Sequence, residues 1–81
     1  MAGDAKITVL ITTAEQVLFD GTARSLVFPG EAGTFEVLPL HRALISRLLP
    51  GVIVVDEQPV PIRLGIVRVA DDVVTAVVES A

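Results

Sequence analysis

Turn-forming residues break this chain so often that no long helix fits between them. Asp20-Gly21, Pro29-Gly30, Gly33, Pro39, Pro50-Gly51, Pro59, Pro61, Gly65 and Asp71-Asp72 recur at short intervals. Each supplies a turn geometry or stops a helix. Only Arg42 to Leu49 leaves room for a single helical turn. The runs between breaks are rich in Val, Ile and Thr, whose branched Cβ suits a pleated strand better than a helix. Lys6 to Thr12 sets Ile7, Val9 and Ile11 on one face and Thr8, Leu10 and Thr12 on the other, the period of a strand. Further strands are expected at Gln16 to Phe19, Ala23 to Phe28, Thr34 to Leu38, Val52 to Val55, Val60 to Leu64, Ile66 to Ala70 and Val73 to Val78. Asp71-Asp72 is expected to close a tight hairpin between the last two, because aspartate bonds nearby backbone N–H groups and tolerates unusual φ. Many short strands at this spacing define an all-β sandwich or barrel. Nothing along the chain reads as a repeat, linker or low-complexity segment, so residues 1–81 are expected to form one domain.

Two of these strands lack the alternation of a sheet with a solvated outer face. Val52-Ile53-Val54-Val55 has no polar position, and Val73 to Val78 has only Thr75. Both faces of such strands need cover. A chain of this size buries only about 60% of the surface it exposes when unfolded, yet 52% of its 81 residues are hydrophobic and mean hydropathy is +0.71. Part of that surface is therefore expected to meet another protein. A single partner would require the exposed apolar residues to gather on one face; central strands with ordinary surface valines would leave them scattered.

Composition removes several function classes. The absence of cysteine excludes disulfides and thiolate metal sites and agrees with a reducing compartment. Six Lys plus Arg against ten Asp plus Glu give a net charge of -4, the wrong sign for a nucleic-acid backbone. Three Phe without Trp or Tyr leave few rings for stacking on bases. Charge-free stretches such as Leu48 to Val55 run for eight residues, against the roughly 20 a membrane-spanning helix needs. Met1 to Lys6 lacks the basic, apolar and small-residue regions of a secretory leader, so a cytoplasmic chain is expected.

Catalytic chemistry has little to work with. His41 is the only histidine, which excludes a multi-histidine metal site. A hydrolytic triad would have to join His41 to Ser25, Ser46 or Ser80, none of them in a nucleophile-elbow pattern. A histidine in a proline-flanked loop is more often a hydrogen-bonded loop residue. Asp71-Asp72, the densest acidic pair, is explained by its turn, and no oxygen-ligand ladder is present. Gly30-Glu31-Ala32-Gly33 has the glycines of a phosphate cradle or a KH loop, but lacks the lysine, the following helix and the basic neighbours. A strand-to-strand turn accounts for it. No cofactor, metal or catalytic residue is expected.

Three segments carry a more specific likeness. Val17-Leu18-Phe19-Asp20-Gly21, then Ala23-Arg24-Ser25-Leu26-Val27-Phe28-Pro29-Gly30, then Gly33-Thr34-Phe35-Glu36-Val37-Leu38-Pro39-Leu40-His41 resemble, in order and spacing, the N-terminal domain of the ε subunit of bacterial F-type ATP synthase. Leu44-Ile45 through Leu49-Pro50-Gly51-Val52-Ile53 is similar to that family's approach to a Pro-Gly turn. Gly65 to Val69 and Val73 to Val77 are similar to its final hairpin. The resemblance covers about residues 7 to 80. The chain departs from it at Leu40 and Ala43, where the family usually has glycine and proline, at Glu36 in place of a common glycine, and at Gly65, single where a pair is common.

The resemblance implies a sandwich of about ten short, mostly antiparallel strands at the foot of a rotary central stalk. Such a part does not catalyse; it couples proton or sodium flow to ATP synthesis by docking on the γ subunit and on the membrane c-ring, peripheral at the cytoplasmic face of the inner membrane. The turn from Glu31 to Thr34 and the loop Leu40 to Arg42 are expected toward the ring or γ, with His41 and Ser46 at positions close to γ. The family continues into a helical domain associated with inhibition of ATP hydrolysis; residues 1–81 hold none of it, as a naturally short subunit or an excised domain. The competing class is a stand-alone sandwich whose apolar strands bind a second copy or a small ligand.

Overall fold

The computed structural model describes residues 5–81, so Met1 to Asp4, most of the stretch read above for a leader, lie outside the described residues. Eight strands follow in order: β1 (Ile7–Thr12), β2 (Val17–Ala23), β3 (Leu26–Gly30), β4 (Gly33–Val37), β5 (Leu44–Leu48), β6 (Gly51–Val55), β7 (Gln58–Ala70) and β8 (Val73–Ser80). The all-β sandwich expected from the sequence is present, with eight strands where the resemblance implied about ten.

One layer runs β2-β1-β8-β7-β5, and β4-β3-β6 builds the other, joined through β7. All pairs are antiparallel except β1 with β8. β7 serves both layers: Gln58–Ile62 pairs with β6, and Gly65–Val69 with β5. Its register against β8 slips between Ile62 and Leu64, and an unpaired residue of that kind is what lets a strand turn from one sheet into the next. Alternate residues of both layers point inward. Ile7, Val9, Ile11, Val67, Val69, Val74 and Ala76 from the first meet Leu26, Phe28, Ile53 and Val55 from the second, all buried.

Two expectations about individual elements are corrected. Arg42 to Leu49 forms no helical turn; Leu44–Leu48 is β5. Eight residues are too few to offset the cost of helix nucleation, whereas β7 offers an edge against which Leu44 pairs with Val69 and Leu48 with Gly65. The second correction is that Val60 to Leu64 and Ile66 to Ala70 are one strand, β7. Gly65 does not interrupt it. A Cβ there would stand 2.6 Å from Val78 Cγ1 and 2.9 Å from Val77 O, so glycine lets β8 close on β7. Pro59 and Pro61 are tolerated because they pair with Val54 and Val52 of β6 before β8 joins at Ile62, leaving a side where a missing N–H breaks no ladder bond.

The Asp71-Asp72 hairpin is as expected. Both residues are left-handed, at φ 53 and 60, the geometry whose twist matches paired strands. Asp56 ties the second layer together in a similar conformation, at φ 54. Its Oδ1 accepts from Arg24 N at 2.9 Å and Ser25 N at 3.2 Å, and its own N–H donates to Ser25 O at 2.9 Å. Asp56→Ala strands two backbone donors and forces alanine into a left-handed conformation. We expect it to cost about 1–2 kcal/mol, with Asp56→Asn close to wild type in the same thermal melt. Equal melting of the alanine variant and the wild type would show the tie to be idle.

Candidate docking surface

The register of the first layer places outward-pointing residues of five strands in rows. Val17 of β2 stands opposite Thr12 of β1, then Val77 of β8, Ile66 of β7 and Arg47 of β5. The next row is Asp20, Leu10, Thr75, Arg68 and Ile45. Side chains opposite one another on neighbouring strands share a face, so these residues form one continuous surface. It is unusually apolar for an outer face: Val17 is 56% exposed, Ile45 72%, Ile66 53% and Val77 55%. Val73 and Leu64 extend it at either end and are also exposed. The layer's inward residues fill the core, so nothing within the described chain covers the outer ones.

Grooves and charged residues mark this face. An open groove of about 660 Å³ lies at its β1–β2 end, between Thr13 to Glu15 and the strands at Leu64 to Ile66 and Val77 to Ser80. Thr13 shapes the turn above it, its Oγ1 accepting from Glu15 N at 3.1 Å and Gln16 N at 3.0 Å. A shallower one of about 330 Å³ lies at the other end, between Ala43 to Ile45 and Arg68 to Ala70. Two arginines stand among the apolar residues. Arg47 reaches Glu31 at 3.9 Å, while Arg68 makes no ion pair among the described residues. Asp20 stands in the same row as Arg68, and Glu15 and Glu79 line the larger groove, so the face carries both signs of charge; an apolar surface with a free arginine has the composition of an interface centre. No cluster of three or more His, Asp or Glu able to hold a metal ion occurs among the described residues.

The residues singled out by resemblance fall into two groups. Glu31 and Thr34 belong to the β3–β4 turn, where Gly33 supplies the positive φ of 123 and Glu31 N donates to Arg47 O at 3.0 Å. Leu40, His41 and Arg42 form the β4–β5 loop, held at the opposite end of β5 by Leu40 N donating to Asp72 Oδ1 at 2.7 Å. Four residue steps along β5 separate the groups by about 13 Å. Ser46 lies between them on the inner side of β5, half-buried, with its hydroxyl donating to Arg47 O at 2.9 Å. His41 Nδ1 lies 2.7 Å from Arg42 O, while the Ser25 and Ser46 hydroxyls bond Glu36 and Arg47 O and none of the three serines is hydrogen-bonded to the imidazole. Sequence reasoning missed Val17, Ile45, Ile66, Arg68 and Val77 as site residues. Of the two nearly all-apolar strands that were its signal, only Val73 to Val78 contributes to this face; Val52 to Val55 is β6, in the other layer.

Fold and surface together define a class: a two-layer β-sandwich with one outer sheet face that is exposed and largely apolar. Residues 6–81 match the family model described as the β-sandwich domain of the ATP synthase delta/epsilon chain. The chain belongs to that family. An ATP synthase epsilon chain from Nitratiruptor sp. is 42% identical over 76 residues, covering 88% of this chain and 59% of that one. One from Bordetella parapertussis is 35% identical, covering 95% and 59%. This chain thus spans about three fifths of the length of both relatives. Its fold recurs in a chain of the Euglena gracilis mitochondrial ATP synthase, in an assembly of OSCP, F1 and c-ring, with TM-score 0.81 and 21% identity over 91% of this chain and 51% of that one. It recurs also in the central stalk and c-ring of the Tetrahymena thermophila mitochondrial enzyme, with TM-score 0.77 and 17% identity over 93% and 64%.

Proposed function

We propose that residues 1–81 are the sandwich domain of a non-catalytic ε subunit in the central stalk of a rotary ATP synthase. The domain docks on the γ subunit and on the c-ring, and the rotor it belongs to couples proton or sodium flow to ATP synthesis. The observation that carries this reading is the gathering of exposed apolar residues from β2, β8, β7 and β5 on one face. Family membership supplies the assembly. No helix of the structure is long and apolar enough to cross a membrane, and attachment at the cytoplasmic face of the inner membrane runs through the complex.

The two residue groups fit two partners. The apolar face and the adjoining Leu40–Arg42 loop take γ, while the Glu31–Thr34 turn, at the far end of β5, takes the polar loops of the ring. Torque passes through such a part only if it deforms little, and a close-packed, β-branched core meets that demand. The test is calorimetric titration of the chain into the γ subunit of its own source, with size exclusion of each component and the mixture. A one-to-one complex at micromolar affinity or tighter is expected. Absence of binding by the folded chain, with self-association instead, would transfer the face to a second copy. Arg42→Glu reverses an exposed charge in the loop. It should weaken the complex about three- to tenfold and leave the melting temperature unchanged, because exposed charges contribute little to folding; undiminished binding would remove Arg42 from the interface.

A further inference from the structure

We propose that Leu40 is a preorganised apolar anchor by which this chain selects its γ subunit, and that Asp72 is the residue that holds it in position. The proposal rests on the γ-docking reading and adds the residue that decides which γ is accepted.

Among the described residues, four that are not glycine adopt positive φ: Leu40 at 68, Asp56, Asp71 and Asp72. The three aspartates suit that conformation, since a short polar side chain can bond the local backbone. Leucine has no such compensation, and its Cβ crowds the following carbonyl. Leu40 is also 89% exposed, the most exposed large hydrophobic among the described residues. Strain and apolar exposure are both borne by the free chain.

The loop is nonetheless held firmly. Leu40 N donates to Asp72 Oδ1 at 2.7 Å, and His41 N donates to Leu38 O at 3.1 Å. Asp72 is in turn fixed by Thr8 N, which donates to its carbonyl at 2.9 Å. A strained backbone held by surrounding bonds, with its side chain in water, contributes nothing to the free protein. It lowers the ordering cost when that side chain enters a pocket.

The occupant follows from where the loop leads. Arg42 and Ala43 connect it directly to β5, whose Ile45 opens the apolar face, so a protein covering that face also reaches Leu40. Arg42, exposed, follows two residues after the leucine, and the Asp72 carboxylate lies against the leucine's own amide. The matching site on γ is an apolar pocket of about leucine size. A γ subunit lacking the pocket would meet Leu40 as a steric obstacle, which makes the residue a selector as well as an anchor.

The experiment titrates the full chain and its variants into the γ subunit of its own source, beside thermal melts. Leu40→Gly should raise the melting temperature by about 2–5 °C, since glycine accepts the conformation freely, and should weaken binding about tenfold or more. Leu40→Asn, which tolerates positive φ without restoring apolar volume, should lose the same affinity; Leu40→Met, which restores the volume, should recover most of it. Wild-type affinity in both Leu40→Gly and Leu40→Asn would overturn the anchor. Failure of the wild type to bind γ would instead overturn the docking reading itself.

Asp72→Gly keeps the turn and removes the acceptor. Faster hydrogen exchange at the Leu40 amide with weaker γ binding is expected, both restored in Asp72→Asn. Faster exchange with unchanged binding would remove Asp72 as a positioning residue.

Discussion

Val77→Asp is expected to abolish detectable binding of the γ subunit while the sandwich stays folded. Val77 lies in the middle of the outer face, with Thr12 and Ile66 directly opposite and no arginine across from it to neutralise a new carboxylate. In the free chain it is 55% exposed, so the aspartate stays in water and the fold loses only strand propensity, within about 1 kcal/mol. In a complex the same carboxylate would be buried without a partner, at a cost of several kcal/mol. Three such kcal/mol already weaken binding about a hundredfold. Val52→Asp is the matched control: also a half-exposed strand valine, but on β6 in the other layer, and it should bind γ as the wild type does. Equal loss in both variants, or in neither, would mean that the face is not the contact surface.

Phe28→Ala should produce the largest change in stability. Phe28 is fully buried, is the largest side chain in the core, and stacks on Phe35 of β4 with ring centroids 5.4 Å apart. Cross-strand pairing of these two holds β4, an edge strand, to β3. Truncation leaves a cavity that β-branched neighbours, stiff about χ1, cannot fill by rotation, at a cost of about 3–5 kcal/mol. A domain of this size has about 4–12 kcal/mol in total, so the melting temperature should fall by about 15 °C or more. Circular dichroism melts would check this; a fall of under about 5 °C would show that the core repacks around the gap.

The two predictions separate surface from core, and the sequence speaks to them unequally. Period-2 runs such as Ile7-Val9-Ile11 announce their inward faces, because alternation is all that a half-buried strand requires. Asp71-Asp72 announces its hairpin through side-chain chemistry that works within a few residues. β5 is less visible: Leu44-Ile45-Ser46-Arg47-Leu48 has a polar residue on each face and weak intrinsic preference, and it becomes a strand because β7 presents an edge to it. Gly65 reads as a break in one dimension and is a point of close approach in three.

Local chemistry therefore determined the fold class, most strand positions, the tight turns and the presence of more apolar surface than one small domain can hide. Resemblance carried Glu31, Thr34, Leu40, His41, Arg42 and Ser46 as a single set. The structure divides them between the two ends of β5 and turns Ser46 inward. The apolar face itself was decided only by tertiary structure. Val17, Ile45, Ile66 and Val77 come from four strands spread over most of the chain, and their union depends on inter-strand register. A shift of one residue in any pairing would send that strand's side chains to the opposite face, and register is fixed by the packed core as a whole rather than by any segment within it.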